Sequence, residues 1–273
     1  MEESVTQINP LIKEATQMMQ IAGQRTDGLS GLPSGFKALD KITSGWQNSD
    51  LIIIAARPAM KKTAFVLSMA KNMAVNFNIP VAVFSLEMSN VQLVNRLIVN
   101  VCQIPREKIK TGELTPNEWE QLDYKIKDLF DAPIYIDDSP DLSIFELRTK
   151  ACHLVREHKV KCIIIDYLQL MNASGMSFGS EEQELSVISR LLKELAKELN
   201  IPIIALVRLN VENNEGEKKH PQLSDLRKSG VVELYADIVC FIHHSEIIIA
   251  KHRNGTVGNV LLSFNSEFGI FSE

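Results

Sequence analysis

The sequence predicts an α/β fold: a mostly parallel sheet flanked by helices, with antiparallel strands at its edge and a separate helix ahead of it. Three observations carry this expectation. From Asp50 onward, short apolar runs at 51–55, 81–84, 134–136, 162–165, 201–206 and 238–242 alternate with amphipathic stretches. That is the rhythm of parallel strands joined by crossover helices. After Ala236 the helical pattern thins, and "EIIIAKHRNGTVGNVLLSF" reads as two strands joined by a Gly-containing turn. Upstream of both, residues 5–22 form an isolated amphipathic segment.

In that segment Ile8, Leu11, Ile12, Ala15, Met18 and Met19 recur at helical spacing and make one apolar stripe. The following "GQRTDGLSGLPSG" is rich in Gly, Ser and Pro and reads as a linker. The chain therefore divides into a helix and linker over 1–30 and a compact domain over 31–273. The stripe either folds back on its own domain or docks on another subunit. Within the domain, "LFDAPIYIDD" and "LNIPIIAL" each combine a turn signal with a strand expected to be buried.

The 273 residues, 45% hydrophobic, are enough for a sizeable core. No apolar run reaches the roughly 18 residues of a membrane span, and "MEESVTQINP" does not have the form of a signal peptide. A cytoplasmic protein without a membrane partner is expected. Cys102, Cys152, Cys162 and Cys240 are scattered, which favours buried free thiols over a zinc site or disulfide framework. A net charge of -5 confines any nucleic-acid contact to a local patch or the lining of an assembled channel.

The stretch "IIIAARPAMKKTAF" carries the chemistry. A phosphate loop, G-x-x-x-x-G-K-T/S after a strand, wraps an anion with backbone N–H groups and a helix start. Here Ala56, Arg57, Pro58, Ala59, Met60, Lys61, Lys62 and Thr63 fill those places, and Ala64 follows. Lys62 would neutralise the β and γ phosphates, and the Thr63 hydroxyl would ligate Mg²⁺. In "VAVFSLEMS", Glu87 sits just past a strand, where a base could orient the attacking water. In "CIIIDYLQLM", Asp166 stands at a strand tip, the place of a carboxylate that holds Mg²⁺. Read singly, each carboxylate also fits a turn cap; the order and spacing of the set favour nucleotide chemistry.

These residues, with "GLPSGFKALDKITSGWQNSDLIIIAARPAM", "FSLEMS", "IIIDYLQLM", "LAKELNIPIIAL", "PQLSDLRKSG" and "KHRNGTVG", resemble the C-terminal motor domain of DnaB-type replicative DNA helicases, over about Val5 to Phe271. The resemblance implies a RecA-like fold, ATP and Mg²⁺ as ligands, single-stranded DNA as partner, and a hexameric ring that works with other replication proteins. The family's primase-binding N-terminal domain has no counterpart here, and the helix at 5–22 matches the linker helix that packs on the adjacent subunit. By the same resemblance, Lys251 and Arg253 match a basic finger that reaches the neighbour's γ-phosphate; an unrelated sequence would read there as a solvated edge strand. Arg227, Lys228 and Gly230 match a pore loop that grips the DNA backbone, against the reading of a charged helix end.

The chain departs from the family where catalysis is concentrated. Lys61 replaces the glycine before Lys62, and a β-carbon there is expected to crowd the nucleotide. Val207, Arg208 and Val211 stand where the family has "SQ" and Arg in "ALSQLNR", losing a polar residue that senses the γ-phosphate. Lys228 replaces an acidic residue, Leu234-Tyr235 replaces Gln-Asp, and the segments at 211–220 and 244–246 look shortened. Two alternatives to a working motor follow: an impaired paralogue that binds DNA or helicase subunits without ATP turnover, and a RecA-like recombination ATPase, which "DYLQLM" and "KHRNG" disfavour. Weak nucleotide binding, little ATPase activity and partial rescue by Lys61→Gly are the expectations from these departures.

Overall fold

In a computed structural model of the chain, residues 5–25, 28–209, 220–227 and 232–273 are described, apart from the side chains of Met18 and Arg227. The N-terminal helix α1 runs Ile8–Gln24, beginning at the first residue of the apolar stripe and three residues after the start of the 5–22 segment. Its stripe stays open: Ile8, Leu11, Ile12, Met19 and Ile21 are all exposed, Met19 to 73%.

The body begins earlier than the linker composition suggests. Leu29 is buried, and Leu32 and Trp46 exchange both backbone hydrogen bonds, at 2.8 and 2.7 Å. Much of the Gly-rich stretch is therefore fixed to the domain. From there the chain runs α2 (Lys37–Thr43), β1 (Leu51–Ala56), α3 (Lys62–Lys71), β2 (Val81–Ser85), α4 (Asn90–Cys102), α5 (Arg106–Thr111), α6 (Pro116–Lys125), α7 (Lys127–Phe130), β3 (Ile134–Asp137), α8 (Ile144–His158), β4 (Cys162–Asp166), α9 (Glu181–Leu199) and β5 (Ile203–Arg208). It ends with α10 (Leu223–Arg227), α11 (Val232–Tyr235), β6 (Ile238–His243), β7 (Glu246–His252), β8 (Gly258–Leu261), β9 (Ser263–Asn265) and β10 (Ile270–Ser272).

Among the described residues, eight strands form one sheet in the order β3-β2-β4-β5-β1-β6-β7-β8. The first six are parallel, and β7 and β8 pair antiparallel at the edge. All six apolar runs are strands. β1 is buried at every position, as a central parallel strand covered on both faces must be. The strand of "APIYIDD" is the exception to expectation: β3 is the sheet's outer strand, so it is only half-buried along its length.

Alternate strand residues face two cores. Leu51, Ile53 and Ala55 of β1 meet α8 and α9 on one side, whereas Ile52, Ile54 and Ala56 meet α3 on the other. Capping boxes at Ser89, Thr115 and Ser143 start α4, α6 and α8. The β9–β10 hairpin lies on α3: the Phe271 N–H donates to Ser68 Oγ at 3.1 Å, and the Phe65 and Phe271 rings meet edge to face at 5.4 Å. Cys102, Cys162 and Cys240 are buried thiols and Cys152 is half-buried; burial pushes the thiols of Cys162 and Cys240 up to about 12.

Candidate functional site

β1 lies between β5 and β6, and the chain leaving its C-terminal end crosses over through α3 to β2, on the far side of β5 and β4. Loops at the carboxyl ends of such strands diverge and leave a crevice. The crevice here is a cavity of about 780 Å³ lined by the segment 57–64 together with Glu87, Arg96, Arg106, Tyr167, Arg208 and Phe264.

Its floor is the loop between β1 and α3. Ala59 and Lys61 both adopt left-handed backbone, each with φ 64°, so Lys61 takes the conformation that glycine takes most easily. Its side chain runs to the C-terminal hairpin, where the ammonium lies 3.8 Å from the Phe264 ring centroid. No side chain caps the start of α3. The first-turn N–H groups of a helix have no partners within the helix, so this end offers them to an anion.

Thr63 Oγ1 donates to Asp166 Oδ2 at 2.7 Å, which joins the loop to the tip of β4. Asp166 is almost fully buried, and its Oδ1 makes no hydrogen bond among the described residues. Burial raises its carboxyl above the ordinary range, against the Thr63 hydrogen bond and the Lys62 charge. Lys62 sits beside them with its ammonium 4.5 Å from the Tyr167 ring centroid. Burial holds that ammonium below the usual lysine range; Asp166 and Glu87 pull it back up, and Arg208 lowers it further.

Glu87 is carried on a braced turn. Ser85 Oγ donates to the Met88 carbonyl at 2.8 Å and accepts from the Met88 N–H, while the Leu86 N–H donates to the Asp166 carbonyl at 2.8 Å. The structure thus gathers Lys61, Lys62, Thr63, Glu87 and Asp166 at one end of the sheet, as expected of a nucleotide site.

Lys251 and Arg253 are elsewhere. Val239↔Lys251 and Ile53↔Val239 in register put Lys251 level with the middle of β1, about 10 Å before its phosphate-loop end. Lys251 Nζ donates to the Glu233 and Ala236 carbonyls at 2.6 and 2.7 Å, and Arg253 donates to buried Asp237 at 2.9 Å. Within one chain these cations do not meet the cavity. Lys228, Gly230, the side chain of Arg227, Val211 and nearly all of the 211–220 loop lie outside the described residues. At 244–246 the turn is a two-residue hairpin with His244 at φ 56°.

Sequence reasoning missed Arg96, Arg106, Tyr167 and Phe264. Arg96 carried a usable signal: it lies on α4, directly after the Glu87 turn, one position before buried Leu97. Burial and nearby Arg106 hold its guanidinium below the usual arginine range, with Asp166 and Glu87 opposing. Val207 and Arg208 separate on alternate faces: Val207 is buried in the α9-side core, whereas Arg208 lines the cavity.

The family model of the DnaB-like helicase C-terminal domain matches residues 31–273. The chain belongs to that family. It is 43% identical over 277 residues to the replicative DNA helicase DnaB of Geobacillus stearothermophilus and 41% identical over 274 residues to the replicative DNA helicase DnaC of Bacillus subtilis (strain 168). The alignments cover 97% and 96% of this chain but 61% and 60% of those relatives, so the chain spans about three-fifths of their length. Among solved structures, one described as an ATPase domain superposes with a TM-score of 0.89 at 35% identity, covering 98% of this chain and 99% of that one. A DnaB-like replicative helicase described with its primase interactions superposes at 0.84 and 34%, covering 99% of this chain and 67% of that one. The solved neighbours share the fold of a DnaB-like, RecA-fold ATPase domain over nearly the whole chain, so the resemblance in the motifs extends to the fold.

Proposed function

We propose that this DnaB-like domain is an ATP-driven motor that acts on single-stranded DNA within a ring of its own copies. One observation carries the reading: the Thr63–Asp166 hydrogen bond, with Lys62 and Glu87 in the same cavity. The donor set fits Mg²⁺, a hard cation that takes hydroxyl, carboxylate and water oxygens. The buried, unpaired Asp166 Oδ1 is the atom such an ion would satisfy. Thr63 and Asp166 would hold it, and it would supply charge neutralisation at the β and γ phosphates.

The protein's own groups do the rest. Backbone N–H groups of 59–64 wrap the phosphates, Lys62 binds the transferred group, and Glu87 orients and deprotonates the attacking water. Lys251 and Arg253 leave their internal partners to complete the neighbour's site, a role suited to a planar guanidinium. Exposed α1 docks on that neighbour, and Arg227, Lys228 and Gly230 grip the DNA backbone. Contacts with other replication proteins and a cytoplasmic location accompany this role.

The impaired alternative rests chiefly on Lys61 crowding the phosphates; Lys61 adopts the left-handed backbone that a glycine would take there, which keeps the loop's shape, and its ammonium is held on Phe264. The test is nucleotide-dependent binding of a fluorescent oligothymidylate by anisotropy. Binding should need Mg²⁺ and an ATP analogue and be lost in Lys62→Ala. Neutralising Arg227 and Lys228 together should flatten its salt dependence by roughly two charges. Tight binding that ignores both nucleotide and Lys62 would contradict the motor reading.

A further inference from the structure

We infer that Lys193 is a positioning residue for Arg253: it remains as counter-ion of the buried Asp237 carboxylate, so that the guanidinium can leave that carboxylate for a neighbouring site. The inference rests on the proposed role of Arg253 in a neighbour's site and adds the group that governs its release.

The sheet fixes the carboxylate. Asp237 immediately precedes β6, its N–H donates to the Leu51 carbonyl at 2.9 Å, and its own carbonyl accepts from the Arg253 N–H at 2.8 Å. Its side chain is buried, and the two oxygens divide their partners. Oδ2 accepts from the Leu51 N–H at 2.9 Å and from the Lys193 ammonium, which α9 brings to the start of β1. Oδ1 accepts from Arg253 Nη1 at 2.9 Å. Among the described residues these are the two cations in salt-bridge contact with Asp237.

The two cations differ in how firmly they are held. The Lys193 ammonium also donates to the Ser49 carbonyl at 2.7 Å and lies 3.9 Å from Asp50, and its side chain is only 18% exposed. Arg253 is 48% exposed, and its other hydrogen bond, from Nη2 to the Leu234 carbonyl, is long at 3.4 Å. Lys251 gives its ammonium to the Glu233 and Ala236 carbonyls rather than to the carboxylate. One cation is built into the domain, and the other lies on its surface.

The energetics follow from burial. A buried charge stripped of its partner is strongly disfavoured, so an arginine that was the sole counter-ion of Asp237 would stay there. Here the departure of Arg253 leaves Oδ2 with both its donors and the charge paired with Lys193. Asp50 offsets the remainder. Burial and the Asp237 charge raise its carboxyl to about 6 against the attraction of Lys193 and Arg253, and losing Arg253 favours the proton there further.

The experiment is steady-state Mg-ATP hydrolysis by the full chain with single-stranded DNA, resolving kcat from KM. Lys193→Met keeps the apolar stem and removes the charge. It should lower kcat by about 10-fold or more, the scale of one strengthened hydrogen bond between charged groups, with KM for ATP within about twofold. Lys193→Arg should stay within about threefold of the parent chain. Adding Asp237→Asn to Lys193→Met should recover most of the loss, because the carboxylate that retains Arg253 is gone; a lysine that only supports the fold would give no such recovery. Arg253→Ala should lower kcat in every background. A parental kcat in Lys193→Met, or no recovery in the double variant, overturns the inference, while the loss in Arg253→Ala leaves the role of Arg253 standing. Full turnover in Arg253→Ala, or none in the unmodified chain, overturns both. Melting curves check folding. If Lys193→Met does not fold, Asp237→Asn alone decides: its kcat should equal or exceed that of the parent, and a fall of about 10-fold overturns the inference.

Discussion

The Lys61 ammonium lies 3.8 Å from the centroid of the Phe264 ring, which joins the phosphate loop to the C-terminal hairpin. A lysine at φ 64° costs about 1 kcal/mol relative to glycine, and a cation over an aromatic face returns about 0.5–2 kcal/mol. The two terms are of one size, so the loop keeps its shape without glycine. Lys61→Gly should therefore leave the Mg-ATP affinity within about threefold of the parent. A gain of tenfold or more in titration calorimetry would mean that the lysine obstructs the phosphates, as the bare motif suggests.

Arg253 is half exposed, and its ion pair with Asp237 is one of several contacts that carboxylate makes, beside the Leu51 N–H at 2.9 Å and Lys193. Arg253→Ala should cost stability by no more than about 1 kcal/mol, yet reduce turnover by roughly 10³-fold or more if the guanidinium serves a neighbouring site. Mixing Arg253→Ala with Lys62→Ala chains should restore part of the activity, because some interfaces then pair an intact loop with an intact finger. No recovery on mixing at any ratio would remove Arg253 from the neighbour's site.

On α1 the apolar residues Ile8, Leu11, Ile12, Met19 and Ile21 are exposed. Burial of such side chains against a second copy would stabilise assembly by about 1.5–3 kcal/mol each at most. A chain lacking residues 1–25 should show a lower mass by light scattering at the same concentration. Identical masses would assign the stripe to something other than self-assembly.

Asp50 gives a pH test independent of catalysis. Burial, with the nearby Asp237 charge, raises its carboxyl from 3.8 to about 6, against the attraction of Lys193 and Arg253. The folded state then holds the proton more tightly than the unfolded one, so this group's contribution to stability falls as pH rises from about 4 to about 6 and stays low above that. Asp50→Asn should raise stability by about 1–2 kcal/mol at pH 7.5 and by little near pH 4. Equal melting shifts at both pH values would contradict the assignment.

What could be read from the chain follows from how local each cause is. Each parallel strand was legible because burial on both faces leaves an unbroken apolar run, as in Ile52–Ala56. Outer strand β3 carries a similar but shorter apolar run, Ile134–Ile136, and its place in the sheet order makes it half-buried. β9 and β10, three residues each, are too short for a periodic signal, so Phe264 and its contact with Lys61, some 200 positions away, were invisible. Thr63 was legible as the last residue of the loop motif, and Glu87 and Asp166 as carboxylates at strand ends; Arg96 was not, since its meaning depends on which helix face turns toward the loop. The Gly-rich stretch misled because Leu29 and Leu32 take their fixed places from partners such as Trp46.

A phosphate loop with lysine before Lys62 should still turn over ATP. Steady-state Mg-ATP hydrolysis by the unmodified chain, with and without single-stranded DNA, tests this most directly. Turnover should be measurable, should rise on adding DNA, and should fall by at least about 100-fold in Glu87→Gln. An unmodified chain with no hydrolysis above the Glu87→Gln background, with or without DNA, would contradict it.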